Sequence, residues 1–225
     1  MPDSSHRPYI IAIDGPAGSG KGTVAAALAR HLGFSYVETG SFFRILAWRA
    51  LDEGCPLQDG ARLQAIVDSA WFQKKRNSIP TQGLREEYVG LAASEIAKIP
   101  RVRAAFTAFQ RQTVLRLSVP GVVIEGRDTG TALFPDADCK IFLTASPEVR
   151  AQRRFLELKH KDKTVPYGQV LQDLCMRDRN DCERALAPLR PDETYQLLDT
   201  SSLSIEQTVD AAEATVRKTL PATFP

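Results

Sequence analysis

With 225 residues, 43% of them hydrophobic and 25% charged, the chain has the length and make-up of one sizeable domain with a full core, and not of a fibrous or disordered chain. A formal net charge of +2 is too small for bulk attachment to nucleic acid or to a membrane surface, so any positive potential must be local. The opening Met1–Arg7 lacks the apolar stretch of a signal peptide and no run approaches transmembrane length, which together predict a cytoplasmic protein.

In chain order, the apolar run Tyr9-Ile10-Ile11-Ala12-Ile13 predicts a strand over 9–14. It runs into Gly15-Pro16-Ala17-Gly18-Ser19-Gly20-Lys21-Gly22-Thr23 and a helical stretch at about 20–32. Glycines between a strand and a helix let backbone N–H groups turn inward without a Cβ in the way, and the helix points its positive end at the same anion. Lys21 adds a charge that can follow a phosphoryl group as it moves. The loop predicts a nucleoside triphosphate site. Most such loops place Ser or Thr directly after the lysine. Here Gly22 comes first and Thr23 second, an ending seen in nucleoside monophosphate kinases.

A second strand is expected at 34–37, followed by Thr39-Gly40-Ser41-Phe42-Phe43-Arg44 and a helix over 41–54. A hydroxyl and an arginine at a strand end suit an anionic acceptor, although a plain N-cap with a surface arginine reads the same. Helical patterns follow at 61–70, 86–98 and 101–117. The third strand, 122–125, leads into Gly126-Arg127-Asp128-Thr129-Gly130-Thr131, where two glycines hold a sharp turn and Arg127 and Asp128 project. Strand 140–144 precedes Ser146-Pro147, an N-cap with proline at the first helical position, and helices over 147–161 and 167–181. A last strand at 195–198 and a capping box at Ser204–Gln207 opening a helix over 205–219 complete the chain.

Alternating strands and helices imply an α/β fold: a five-stranded parallel sheet with helices on both faces. Two segments break the alternation. Residues 57–118 exceed any simple crossover and are read as an acceptor-binding insertion; residues 150–185, rich in arginine, are read as a lid. The core is then 8–56, 119–149 and 186–225, one kinase-like domain over 1–225. Within the second segment Arg177, Asp181 and Arg184 fall on one helical stripe if the helix reaches that far, and Arg150, Arg153 and Arg154 share the segment. So many guanidinium groups repel one another unless a polyanion neutralises them. The four cysteines show no Cys-x-x-Cys pairing and are expected to be unpaired thiols, and the three histidines are scattered, so no protein-held metal site is expected.

Taken together, these pieces resemble the bacterial cytidylate kinases over nearly the whole chain. The resemblance rests on the loop at 15–23, Thr39–Arg44, Ala-Ala-Ser at 92–94, Pro-Arg-Val-Arg at 100–103, Gly126–Thr131, the block 135–154, the Arg177/Asp181/Arg184 stripe and Ala-Pro-Leu at 187–189. It implies transfer of the γ-phosphoryl group of ATP to CMP or dCMP in pyrimidine nucleotide metabolism, by a monomer, with Mg²⁺ carried by the nucleotide. Gly15 through Thr23 would bind ATP; Lys21, Arg153 and Arg184 would be catalytic. Ser94, Arg103 and Asp128 would contact the cytosine, Arg44 and Arg127 the acceptor phosphate with Thr39 nearby, and Arg177 and Asp181 the ribose side. Three departures from the family stand out: Phe43 replaces the usual tyrosine, Asn180 stands where an arginine is common, and the stretch 71–84 is shorter.

An acceptor that is already an oxyanion needs no strong general base, which fits a site built from cations. The rival enzyme is a kinase for a different small acceptor, another monophosphate or a sugar alcohol; an alcohol would call for a carboxylate base, a role to which Asp128 could be recruited, and a nucleotide switch would do no transfer. Against the latter, the chain has no Asn-Lys-x-Asp guanine-reading motif.

Overall fold

The computed structural model describes residues 7–69, 72, 81–84, 86–160 and 165–221. Five strands form one sheet in the order β2-β3-β1-β4-β5: β1 Tyr9–Asp14, β2 Ser35–Glu38, β3 Gly121–Gly126, β4 Cys139–Thr144 and β5 Gln196–Asp199. The pairings β1–β3, β1–β4 and β4–β5 are parallel, and their register sets Asp14 level with Gly126 and Phe142, and Thr144 with Asp199. Every residue of β3 and all of β1 after Tyr9 are buried, the continuous apolar run expected of a strand covered on both faces.

The helices are α1 Lys21–Leu32, α2 Thr39–Asp52, α3 Gly60–Asp68, α4 Thr81–Leu84, α5 Glu87–Ile96, α6 Pro100–Leu115, α7 Pro147–His160, α8 Tyr167–Glu183 and α9 Ile205–Thr219. Expected strands and helices match these to within two residues at nearly every end, and the capping box at Ser204 and Gln207 is present. Two elements were not expected: the single turn α4, and a π-helical turn at Thr129–Leu133. The stretch 71–84, expected from the resemblance to be short, lies outside the described residues except for Phe72 and α4.

The chain divides into two compact units, Met1–Val37 with Leu117–Pro225, and Glu38–Arg116. The first holds the sheet. Val24, Ala25 and Leu28 of α1 and Val209, Ala212 and Val216 of α9 recur at helical spacing, and they pack on Ile11, Ile13, Val123, Ile141 and Leu143. The second unit is helical and built on aromatic rings. Phe106 of α6 meets Phe43 at 4.7 Å, Phe72 at 5.4 Å and Phe42 at 6.4 Å between ring centroids.

Phe106 is 1% exposed and touches three rings, so its loss leaves a cavity that no neighbour can fill without leaving its own contacts. Phe106→Ala is expected to lower stability by about 3–5 kcal/mol, read from denaturant midpoints at unchanged slope. A loss below about 1 kcal/mol would mean that this ring cluster is not the core of its unit.

Candidate active site

The loop after β1 is shaped by steric necessity. A Cβ on Gly15 would stand 2.1 Å from the Leu143 carbonyl oxygen, so only glycine lets the chain leave β1 this close to β4. Gly20, at φ 84°, opens α1 with no side-chain cap, so no side chain of the cap competes for the amides at that helix start. Lys21 is buried; its Nζ donates to the Pro16 carbonyl at 3.3 Å and lies 4.0 Å from Glu125 Oε2. Burial, aided by the nearby charges of Arg127 and Arg177 and opposed by Glu125, holds its ammonium down to about 7.

The turn after β3 supplies the facing charges. Arg127 Nε donates to Asp181 Oδ2 at 2.8 Å, and Arg184 Nη2 donates to Asp128 Oδ1 at 3.0 Å. Two crossed Arg–Asp pairs thus tie this turn to the end of α8. Burial raises the Asp181 carboxyl, but Arg127, Arg177 and Arg184 outweigh it and hold the group below the usual carboxylate range. Helix α8 ends at Glu183, so Arg184 leaves the helical stripe: it is extended, with φ −60° and ψ 138°, and its Nε donates to the Ala187 carbonyl at 2.6 Å. Arg177 is exposed and acts on Lys21 and Asp181 through its charge.

The α7 arginines are held differently. Arg150, 4% exposed, donates from Nε to Ala145 O at 2.8 Å and from Nη1 to Ala17 O at 3.0 Å and Asp178 Oδ2 at 2.5 Å. Because the peptide unit is planar, fixing the Ala17 carbonyl turns the Gly18 N–H the opposite way. Arg153 donates from Nη1 to Thr200 Oγ1 at 3.0 Å and from Nη2 to Thr200 O at 2.6 Å.

One unit therefore gathers Gly15 through Thr23, Arg127, Asp128, Arg153, Arg177, Asp181 and Arg184. The other carries Thr39, Arg44, Ser94 and Arg103. In it Arg44 Nη1 donates to Leu84 O at 3.0 Å, the Thr39 carbonyl accepts from Gln110 Nε2 at 3.4 Å, and Ser94 of α5 is half-buried. Arg103 donates to Ala97 O at 3.1 Å while its guanidinium lies 5.6 Å above the Phe43 ring.

Sequence reasoning passed over two buried carboxylates, Asp14 and Glu125. Each had a signal: a lone acid closing an otherwise apolar strand destined for burial.

A family model described as cytidylate kinase matches residues 11–218. A cytidylate kinase of Methylocella silvestris is 46% identical over 203 residues, covering 90% of this chain and 91% of the relative. One of Brucella ovis is 43% identical over 206 residues, covering 92% and 91%. Among solved structures, a gluconokinase from Sinorhizobium meliloti superposes with a TM-score of 0.51 at 17% identity, covering 95% of this chain and 94% of that one, a likeness of fold.

The depressed Lys21 ammonium has a thermodynamic consequence. A lysine held at about 7 is mostly neutral at pH 8, and a polyphosphate anion on the loop favours its charged form. Binding of a nucleoside triphosphate at pH 8 is therefore expected to take up close to one proton, and at pH 6 almost none. Calorimetry in two buffers of different ionisation enthalpy reads this directly. Equal uptake at both pH values, or uptake retained in Lys21→Met, would show that Lys21 is not the group that titrates.

Proposed function

This chain belongs to the cytidylate kinase family, and on that premise we propose that it transfers the γ-phosphoryl group of ATP to CMP or dCMP, giving ADP and CDP or dCDP. The observation that carries the reading is the charge arrangement beside the loop: Lys21, with Arg127–Asp181 and Arg184–Asp128 crossing from the β3 turn to α8. A nucleoside monophosphate asks for this mixture, cations for its phosphate and carboxylates for its sugar and base.

We assign the ATP phosphates to Gly15 through Thr23. The acceptor phosphate goes to Arg44 and Arg127 with Thr39, the ribose to Arg177 and Asp181, and the cytosine to Ser94, Arg103 and Asp128. Residues 57–118 would form the acceptor insertion, 150–185 the lid and the remainder the core of a cytoplasmic monomer. Asp128 holds Arg184 through Oδ1, and a carboxylate has about four lone-pair positions, so accepting a bond from the cytosine 4-amine is compatible with that pair.

The acceptor phosphate is ionised at neutral pH and attacks in line, so positioning and charge neutralisation are the chemistry required of the protein. Lys21 meets the charge on the β- and γ-oxygens; Arg153 and Arg184 meet the charge that develops as the phosphoryl group passes. For Arg153 this means exchanging the Thr200 oxygens for phosphate. A nucleotide-borne Mg²⁺ fits the oxygen chemistry at the loop. Ser19 Oγ is buried with no hydrogen-bond partner among the described residues, and no His, Cys, Asp and Glu cluster among them would hold a metal by itself. Bound, the ion would neutralise charge shared by the β- and γ-phosphates.

Coupled-assay turnover with ATP on CMP, dCMP, UMP and AMP tests the reading; equal use of CMP and UMP would refute it. Asp128→Asn is expected to lose about 1–3 kcal/mol of cytosine discrimination, because its amide presents a donor toward the 4-amine. Lys21→Ala is expected to lower kcat on the order of 10²–10³ with an unchanged circular dichroism spectrum. Near-normal turnover in that variant would remove Lys21 from phosphoryl stabilisation.

A further inference from the structure

The carboxyl of Asp14 is buried at the end of β1, 1% exposed, and three donors converge on it. Oδ1 accepts from the Thr129 N–H at 2.9 Å; Oδ2 accepts from the Gly130 N–H at 2.9 Å and from the Tyr195 hydroxyl at 2.6 Å. Although Gly15 follows it directly, the carboxyl's three donors lie away from the phosphate loop, on the turn after β3 and on the segment before β5.

That placement has a geometric meaning. Thr129 and Gly130 are the first residues of the π-helical turn, whose amides have no intrahelical acceptor, and Asp14 supplies one oxygen to each from a strand 115 residues earlier. The chain is thus pinned on both sides of Arg127 and Asp128. Before them, Gly126 is held in register beside Asp14; after them, Thr129 and Gly130 are held by the Asp14 side chain. Asp128, between these two anchors, sits at φ −143°, ψ 25°, neither helical nor extended. Tyr195 closes the arrangement from behind: a Cβ on Gly130 would stand 2.5 Å from its hydroxyl, so the turn and the tyrosine meet with no room between them.

We infer that Asp14 is a positioning residue for the acceptor side of the site, acting through the amides of Thr129 and Gly130 to aim Arg127 and Asp128, and that Tyr195 fixes Asp14 in turn. This deepens the reading of Arg127 and Asp128 as acceptor contacts and rests on it. A residue that only held up the sheet would change stability and affect both substrates alike. A residue that aims the acceptor contacts changes the acceptor side selectively, and displacements of about 1 Å there can cost on the order of 10² in rate.

The test compares Asp14→Asn and Tyr195→Phe with the native enzyme, below each variant's unfolding temperature. It measures KM for ATP, KM for CMP, kcat, and the ratio of kcat/KM for CMP over UMP. Asp14→Asn keeps the volume but turns an amide donor toward a backbone donor. It is expected to raise KM for CMP about tenfold or more and to shrink the CMP preference, with KM for ATP within about threefold. Tyr195→Phe is expected to shift the same quantities in the same direction by less. Equal shifts in the two KM values, or lowered stability with unchanged kinetics, would overturn the inference. If Asp14→Asn fails to fold, Tyr195→Phe decides alone, and native acceptor kinetics in it overturn the inference. A native enzyme without cytosine preference strikes the reading of Asp128 instead. The KM comparison is then made with whichever acceptor it uses, and the same selective shift remains the expected result.

Discussion

The structure depends on the burial of β1. It lies in the middle of the sheet with β3 on one side and β4 on the other, and every residue from Ile10 to Asp14 is buried. A parallel strand covered on both faces has its backbone bonded to its neighbours, so the chain can leave it only at its end, in the crevice where strand order changes direction. From β1 the chain goes to β2 at one edge, and from β3 it crosses β1 to reach β4. The phosphate loop, the Arg127–Asp128 turn and the start of α7 all emerge at that same edge of the sheet because of this arrangement.

Crowding cations there raises an electrostatic problem, and the protein solves it in two ways. Arg127 and Arg184 are paired with carboxylates, which cancels their charge while the pairs persist and leaves each partner with a second capability when a substrate competes. Arg150 is likewise paired, with Asp178, and is steered further by the Ala145 and Ala17 carbonyls, whereas Arg153 is held by the hydroxyl and carbonyl oxygens of Thr200. Carbonyl partners orient a guanidinium without neutralising it. Lys21 bears the remainder: burial and neighbouring cations weaken its hold on a proton, and Glu125 restores part of it. An anion on the loop favours the charged form of Lys21.

Much of this was legible in the sequence, for physical reasons that differ between elements. The strands could be read because full burial demands unbroken apolar runs, and α9 because its capping box is a local hydrogen-bond pattern. Glycines in the loop were readable because backbone proximity excludes a Cβ. The π-helical turn at Thr129–Leu133 was not readable, since what stabilises its first amides is Asp14, a residue far away in sequence. The same holds for Arg150 on Ala17 O and Arg153 on Thr200, whose partners no local periodicity encodes. Stripe logic put Arg184 on one face with Arg177 and Asp181 only if the helix reached that far, beyond the 167–181 expected for it. The helix stops one residue short, and Arg184 pairs with Asp128 from an extended backbone instead.

Phe43, read in the sequence as standing where the resemblance implies a tyrosine, acquires a physical meaning once its contacts are known. As a sequence letter it marks a missing hydroxyl. In the second unit its ring packs edge-on against Phe106 at 4.7 Å and carries the Arg103 guanidinium over its face at 5.6 Å. Both interactions belong to the π-system, which phenylalanine and tyrosine share. Arg103 also donates to the Ala97 carbonyl at 3.1 Å, and neither of these two contacts uses a phenol oxygen. What phenylalanine changes is confined to the polar tip of the side chain: one donor and acceptor fewer, and a ring that joins the Phe106 cluster with no hydroxyl to satisfy. Order within the helical unit and the hydrogen-bonding inventory it offers are thus separately tunable, the first by ring packing and the second by a single oxygen.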